Sequence, residues 1–148
     1  MITLLLVGKY QKVQQEGGPS QIFTLIVDEL ISMLSLNGNF EIYVMSLTLP
    51  PELYIIRHGK LFKMHKLFPS LIRALKSSHV IYICGNSIIA AVVAFIAKMV
   101  KKKICYHVHG LEIIEYEYES KSIFKILPYI ISEMALLFLS DKLIFPSR

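Results

Sequence analysis

The segment 103–112 (KICYHVHGLE) carries the side chains of this chain that are best suited to chemistry. Cys105, His107 and His109 are residue types that bind metal ions or transfer protons. If the segment is a β-strand, the alternation of side chains places all three on one face. At about 3.3 Å per residue, Cys105 and His109 lie about 13 Å apart, whereas zinc bonds are only about 2.0–2.3 Å long. The three side chains therefore cannot bind one ion.

A metal site that uses only part of this segment is still possible. His107 and His109 could share a metal with Glu112, although the spacing is a weak signal for a metal site and we predict none. We interpret His107 as a core histidine that bonds a backbone carbonyl. His109 differs because it adjoins Gly110 at the predicted end of the strand, and open parallel sheets hold ligands at the carboxyl ends of strands. We therefore expect a functional role for His109.

The order of apolar runs and helical periodicities predicts the fold in which this strand lies. Short apolar runs alternate with segments of helical spacing, which predicts a mostly parallel sheet with helices on both faces. The fold class expected is α/β, a Rossmann-like three-layer sandwich, in a single domain spanning 1–148. Strands are predicted at 2–7, 40–45, 53–56, 79–84, 104–109 and 142–145, and helices at 21–36, 60–76, 87–100 and 120–139.

Composition and missing motifs exclude several classes of protein. The mean hydropathy is +0.54, but the most apolar segment, 88–97, is too short to cross a bilayer and is predicted to be a buried helix. Cys84 and Cys105 fall in apolar strand-like runs, as reduced cysteines of a cytoplasmic protein do. The chain lacks the phosphate-binding P-loop, the dinucleotide fingerprint and the nucleophile elbow of hydrolases.

Gly17 and Gly18 precede Pro19, a residue that suits the first turn of a helix. Two glycines before a helix let a phosphate or a sugar approach the backbone amides. The same pair is also explained by a turn that needs the conformational freedom of glycine, and by composition alone we favour that explanation.

A basic segment, 57–76, carries six cations and no acid. Its helical pattern fits a surface helix with an apolar core face, or a basic amphipathic surface on which Lys60, Lys63 and Lys66 contact anionic lipid. No recognised nucleic-acid-binding module is present, so no nucleic-acid partner is expected.

Three matches in order along the chain give it a resemblance to a known family. The first is a strand and polar loop leading to Gly17-Gly18, a helix ending at Asn37-Gly38, and the strand 40–45. The second is the apolar strand 79–84. The third is YHVHGLE at 106–112, a helix containing Glu133, and SDKLIFPS at 140–147. Together they resemble the N-terminal half of the GT-B glycosyltransferases of the large retaining family four.

The resemblance implies a cleft between two Rossmann-like domains, in which this one mostly holds the acceptor. His109 resembles the catalytic-cleft histidine near the sugar and phosphate of the donor. The resemblance implies a nucleotide-sugar as substrate, a glycan or a lipid-linked acceptor, and no cofactor. The residues expected to contact substrate or donor phosphate are Gly17, Gly18, Gly110, Glu112 and Ser147.

The chain departs from the family pattern in one respect. The family's donor site includes paired glutamates in a second domain, and no two glutamates here have that spacing. We therefore expect a glycosyltransferase half that is incomplete alone and works with a donor-binding domain or subunit. The alternative is a non-catalytic, membrane-associated scaffold that recruits a catalytic partner. In both cases the protein is expected in the cytoplasm, peripheral at the inner membrane face.

Overall fold

The computed structural model describes residues 2–10, 19–34, 40–108 and 123–145. Their elements alternate between strand and helix along most of the chain. The strands are β1 (Ile2–Gly8), β2 (Phe40–Ser46), β3 (Glu52–Arg57), β4 (Lys60–Lys63), β5 (Val80–Cys84), β6 (Lys103–His107) and β7 (Lys142–Ile144). The helices are α1 (Pro19–Leu34), α2 (Leu67–Ser77), α3 (Ile88–Met99) and α4 (Ile123–Leu139).

All the described strands belong to one sheet, in the order β4-β3-β2-β1-β5-β6-β7. β2, β1, β5, β6 and β7 pair in parallel, and only β3 runs antiparallel to its two neighbours. The expected α/β fold with a mostly parallel sheet is therefore confirmed. Parallel strands covered on both faces are apolar throughout, which explains the high mean hydropathy.

The helices divide between the two faces of the sheet. Phe23 and Val27 of α1 are fully buried against one face, in a core cluster with residues of β1 and β2. The other face is covered by α2, α3 and α4, whose buried side chains include Leu75, Ala94 and Leu136. This division follows from the right-handed connections between parallel strands, because the chain leaves β1 in one direction along the sheet and leaves β5 in the other.

The prediction of helix across 60–76 is wrong for its first residues. His58 and Gly59 both have positive φ, 49° and 67°, and form a two-residue turn that pairs Arg57 with Lys60. Turns of this kind match the twist of antiparallel strands, so the chain returns as β4 instead of starting a helix. The helix begins only at Leu67 and contains Pro69 in its first turn, where a missing N–H costs nothing.

The prediction of a buried helix for 88–97 is also wrong. α3 buries one side, through Ala90, Val93, Ala94 and Ala97, while its opposite side is exposed. None of the described helices is both long and apolar enough to cross a membrane.

Candidate functional site at the carboxyl edge of the sheet

Four parallel strands end level with one another at one edge of the sheet. Gly8 at the end of β1 pairs with Ser46 of β2 on one side and with Cys84 of β5 on the other. Cys84 in turn pairs with His107 at the end of β6. The row Ser46, Gly8, Cys84, His107 defines what we call the carboxyl edge.

The topology singles out one position on this edge. From β1 the chain passes through α1 to β2 on one side, whereas the strands that follow β5 are added on the other side. The crevice between β1 and β5 is thus the switch point at which open α/β sheets hold ligands. Gly8 and Gly85 flank this crevice, and Gly85 has a φ of 100° that favours glycine.

Gly8 is required by packing as well as by position. A Cβ at Gly8 would lie 2.5 Å from the ring of Phe23, which is fully buried. The absence of a side chain therefore lets α1 lie close to the end of β1. α1 is the helix that follows Gly17 and Gly18, the glycines predicted to let a donor phosphate approach the backbone amides.

The turn after β5 is fixed by side-chain hydrogen bonds. Asn86 donates from Nδ2 to the Tyr129 carbonyl oxygen at 3.0 Å, and its Oδ1 accepts from the Ser132 hydroxyl. The Ser87 hydroxyl accepts from the Ala90 amide at 3.0 Å and so caps α3. Asn86 is thereby used to join this turn to α4, which makes one side of the crevice rigid.

The exit of β1 is anchored on the other side of the sheet. The Tyr10 hydroxyl donates to the Asp28 carboxylate of α1 at 3.3 Å, and the Ser46 hydroxyl donates to the Tyr10 carbonyl oxygen at 3.3 Å. Burial, followed by the charge of Asp28 and its hydrogen bond, raises the pKa of Tyr10, so the phenol stays protonated and keeps donating. Tyr10 therefore ties the end of β1 to both α1 and β2.

Tyr82 and His107 form a side-chain contact between β5 and β6. The Tyr82 hydroxyl lies 2.5 Å from His107 Nδ1, and the rings meet edge to face with centroids 6.0 Å apart. Burial lowers the pKa of His107, while burial and then the neighbouring Cys84 and Cys105 raise the pKa of Tyr82. At neutral pH the phenol is protonated and the imidazole is uncharged, so a neutral hydrogen bond joins β5 to the end of β6.

The described contacts of His107 include a bond to the Tyr82 hydroxyl, and the expected bond to a backbone carbonyl stays a prediction. Cys84 and Cys105 are both free thiols, as expected, with Cys84 buried and Cys105 half-buried. Burial raises the pKa of Cys84 to about 12, so it is not a thiolate nucleophile at neutral pH. The residues that the structure describes contain no group of three or more metal-binding side chains.

The residues predicted to touch substrate fall outside the described part of the chain. These are Gly17, Gly18, His109, Gly110, Glu112 and Ser147. The structure does describe the residues next to His109 and Gly18. Val108, the residue before His109, donates its amide to the Ile144 carbonyl oxygen at 2.9 Å, at the ends of β6 and β7. Pro19, the residue after Gly18, is the first of α1.

The lysines predicted to contact lipid lie at the outer strand of the sheet and just after it, with Lys60 and Lys63 on β4 and Lys66 directly before α2. Lys60, Lys63 and Lys66 are exposed, but Lys60 and Lys63 point to opposite faces because they are an odd number of residues apart on β4. Lys63 forms an ion pair with Glu52 of β3. Lysines on an edge strand also protect it from pairing with another chain.

Sequence reasoning missed Gly8 as a member of this edge and Tyr82 as a contact of His107. Tyr82 lies in the predicted strand 79–84, but the pairing register that brings it to His107 is not encoded in either strand alone. Gly8 ends an apolar run and precedes the loop that contains Gly17 and Gly18, and this position was the sequence signal that could have identified it. Comparisons with known protein families, with curated proteins and with solved structures find no match for this chain.

Proposed function

We propose that this chain is the acceptor-side domain of a GT-B glycosyltransferase that transfers sugar from a nucleotide-sugar. The observation that carries the proposal is the level row of strand ends around a switch point between β1 and β5. Two segments of the resemblance, the Gly17-Gly18 loop and the segment with His109, directly follow strands that end in this row. The loop that contains Gly17 and Gly18 joins β1 to α1, and His109 follows β6 after one residue.

In this proposal the amides near Gly17 and Gly18 meet the donor phosphates at the positive end of α1. His109 contacts the sugar and phosphate of the donor, with Gly110, Glu112 and Ser147 along the same wall of the cleft. The nucleotide-sugar is a substrate, so no resident cofactor is required. The opposite wall comes from a donor-binding domain, and the acceptor is a glycan or a lipid-linked sugar at the cytoplasmic face of the membrane.

Nuclear magnetic resonance tests where the chain binds. Labelled protein is titrated separately with nucleoside diphosphates, nucleotide-sugars and short glycans while the backbone amide shifts are followed. We expect the largest changes at Gly8, Gly85 and Val108, and none at Lys60 or Lys103, which lie away from the carboxyl edge. Shifts confined to the opposite edge of the sheet, or no shift with any of these compounds, would contradict the proposal.

Sugar transfer separates this function from its alternative, a non-catalytic, membrane-associated scaffold. The chain is assayed alone and with a donor-binding domain supplied in trans, with labelled nucleotide-sugars and extracted lipid as acceptor. Transfer that requires both components supports the acceptor-side domain. Transfer at the same rate without this chain, combined with stable binding of the catalytic partner, favours the scaffold.

A further inference from the structure

The outer side of α3 is apolar and exposed. Ile88, Val92, Phe95 and Met99 are 51–70% exposed. At about 100° per residue, their spacing of four, three and four residues confines them to an arc of about 60°. The buried residues of α3, Ala90, Val93, Ala94 and Ala97, centre on the opposite side. The apolar stripe therefore points directly away from the sheet.

The outer side of α4 repeats this arrangement. Leu127, Ile131, Met134 and Phe138 have the same spacing and are 46–90% exposed, with Phe138 the most exposed. The buried side of α4, which carries Ser132, Glu133 and Leu136, again faces the opposite way. We call the eight exposed residues of α3 and α4 the outer apolar face.

The two stripes form one surface. α3 and α4 pack against each other, and both run antiparallel to the parallel strands they connect, so they lie parallel to one another. Each stripe is about 16 Å long, and packed helices lie about 8–10 Å apart. Surface helices of globular proteins normally turn a polar side to water. An apolar side of this extent marks a contact surface.

The described exposed charges around the outer apolar face are mostly cationic, and the exposed Asp141 after α4 is paired with Lys98 of α3. The three helices of this layer, α2, α3 and α4, contain a single acid, Glu133, and it is fully buried. Arg73 and Lys76 of α2 and Lys101 after α3 are exposed cations of the same layer. The Lys102 ammonium group donates to the Lys76 carbonyl oxygen at 2.6 Å and so joins the ends of α2 and α3.

The opposite layer has a different charge. α1 exposes two acids, Asp28 and Glu29, although it also carries exposed apolar residues. The combination of a wide apolar side with a mostly cationic border, among the described residues, therefore distinguishes the α2–α4 layer from α1. Anionic phospholipid attracts such borders at roughly 1 kcal/mol per Lys or Arg, and it accepts apolar side chains to a depth of about 5–10 Å.

We propose that the outer apolar face of α3 and α4 lies on an anionic membrane surface. Phe95, Ile131 and Phe138 enter the acyl boundary, and Arg73, Lys76 and Lys101 contact lipid phosphates. The helices lie in the plane of the interface, since neither is long enough to span it. This inference does not depend on glycosyl transfer, and it assigns lipid contact to a surface different from that of Lys60, Lys63 and Lys66.

Vesicle flotation tests the proposal. One set of vesicles is pure phosphatidylcholine, and the other contains about 30% of the anionic lipid phosphatidylglycerol. The full chain should float with the anionic vesicles and much less with the neutral ones. Replacing Phe95, Ile131 and Phe138 by Gln should weaken binding by about a hundredfold. Its matched control replaces three exposed apolar residues elsewhere, Leu25, Met33 and Phe62, by Gln and should bind as the unmodified chain does.

A second pair of variants tests the charges without altering the apolar stripes. Replacing Arg73, Lys76 and Lys101 by Gln should weaken binding to anionic vesicles by about a hundredfold and leave binding to neutral vesicles unchanged. The matched control neutralises Lys60, Lys63 and Lys66 and should retain binding. Circular dichroism establishes that each variant is folded.

Three outcomes would overturn the proposal. The first is equal binding by the outer-face variants and the unmodified chain, or loss of binding only in the Lys60, Lys63 and Lys66 variant. The second is equal flotation with neutral and anionic vesicles. The third is a dimer in light scattering that the Phe95, Ile131 and Phe138 variant abolishes, without vesicle binding by the monomer, because the face would then be a subunit interface.

Discussion

The Tyr82 hydroxyl in β5 and Nδ1 of His107, the last residue of β6, lie 2.5 Å apart. Because burial lowers the pKa of His107, the imidazole is uncharged at neutral pH, and a neutral hydrogen bond joins it to the phenol. The pair thus fixes the strand that leads to His109.

This relationship predicts how stability depends on pH. The pKa of His107 is depressed in the folded state, so its contribution is present above the ordinary value of 6.5 and is lost as the pH falls through the depressed value. Urea unfolding at a series of pH values should show this loss. Replacing His107 by Gln should remove that part of the pH dependence, and its persistence in the variant would contradict the assignment.

Tyr82→Phe separates the hydrogen bond from the burial of the histidine. The variant should lower the free energy of unfolding by about 1 kcal/mol at pH 7.5, the usual contribution of a neutral hydrogen bond. The pH dependence below 6.5 should persist, since burial is the main cause of the depressed pKa. An unchanged unfolding midpoint at pH 7.5 would show that the bond contributes nothing.

Gly8→Ala tests the close approach of α1 to β1. The new methyl group would lie 2.5 Å from the Phe23 ring, which is fully buried. We expect a loss of about 1–3 kcal/mol, typical of overpacking, in chemical denaturation. In a Phe23→Leu background the same substitution should cost less, and equal costs in the two backgrounds would locate the strain elsewhere.

Asp141→Ala tests the clamp between α3, β6 and β7. The carboxylate accepts from Lys98 at 2.6 Å and from the Ile104 amide at 2.8 Å, and these bonds, that of Lys98 first, lower its pKa. Because the Asp141 side chain is 42% exposed, we expect a loss of only about 1 kcal/mol.

The clamp also has a pH signature and a control. The contribution of Asp141 is present above its ordinary pKa of 3.8 and is lost as the pH falls through the depressed value. Lys98→Met removes the ion pair alone and should cost less than Asp141→Ala in the same urea titration. A larger loss of unfolding free energy for Lys98→Met would mean that the hydrogen bond from the Ile104 amide to Asp141 is not the main part of the clamp.

His109→Ala tests the proposed transfer site. In the reconstituted pair we expect kcat/KM to fall about ten- to a hundredfold, as when a hydrogen bond to a charged group is lost. His58→Ala is the matched control, because His58 lies in the β3–β4 turn away from the carboxyl edge and should leave turnover unchanged. Normal turnover with His109→Ala would remove the role proposed for this histidine.

The sequence alone determined the fold class and most element positions. Alternating apolar runs and helical spacings predicted β1, β2, β5, β6, α1 and α3 close to their observed bounds, because burial on both faces of a parallel sheet leaves a periodic signal. The shared parity of Cys105 and His107 was also visible in the sequence, since it depends only on the alternation of side chains along one strand.

Only the tertiary structure decided which residues meet. The β3–β4 turn converted the first part of a predicted helix into a strand, because pairing with β3 outweighed helical spacing. The contact of Tyr82 with His107 and that of Gly8 with Phe23 depend on register and on helix placement, which join residues distant in sequence. The tertiary structure also decided which side of α3 is exposed. The sequence of an almost entirely apolar helix does not indicate which side packs against the sheet.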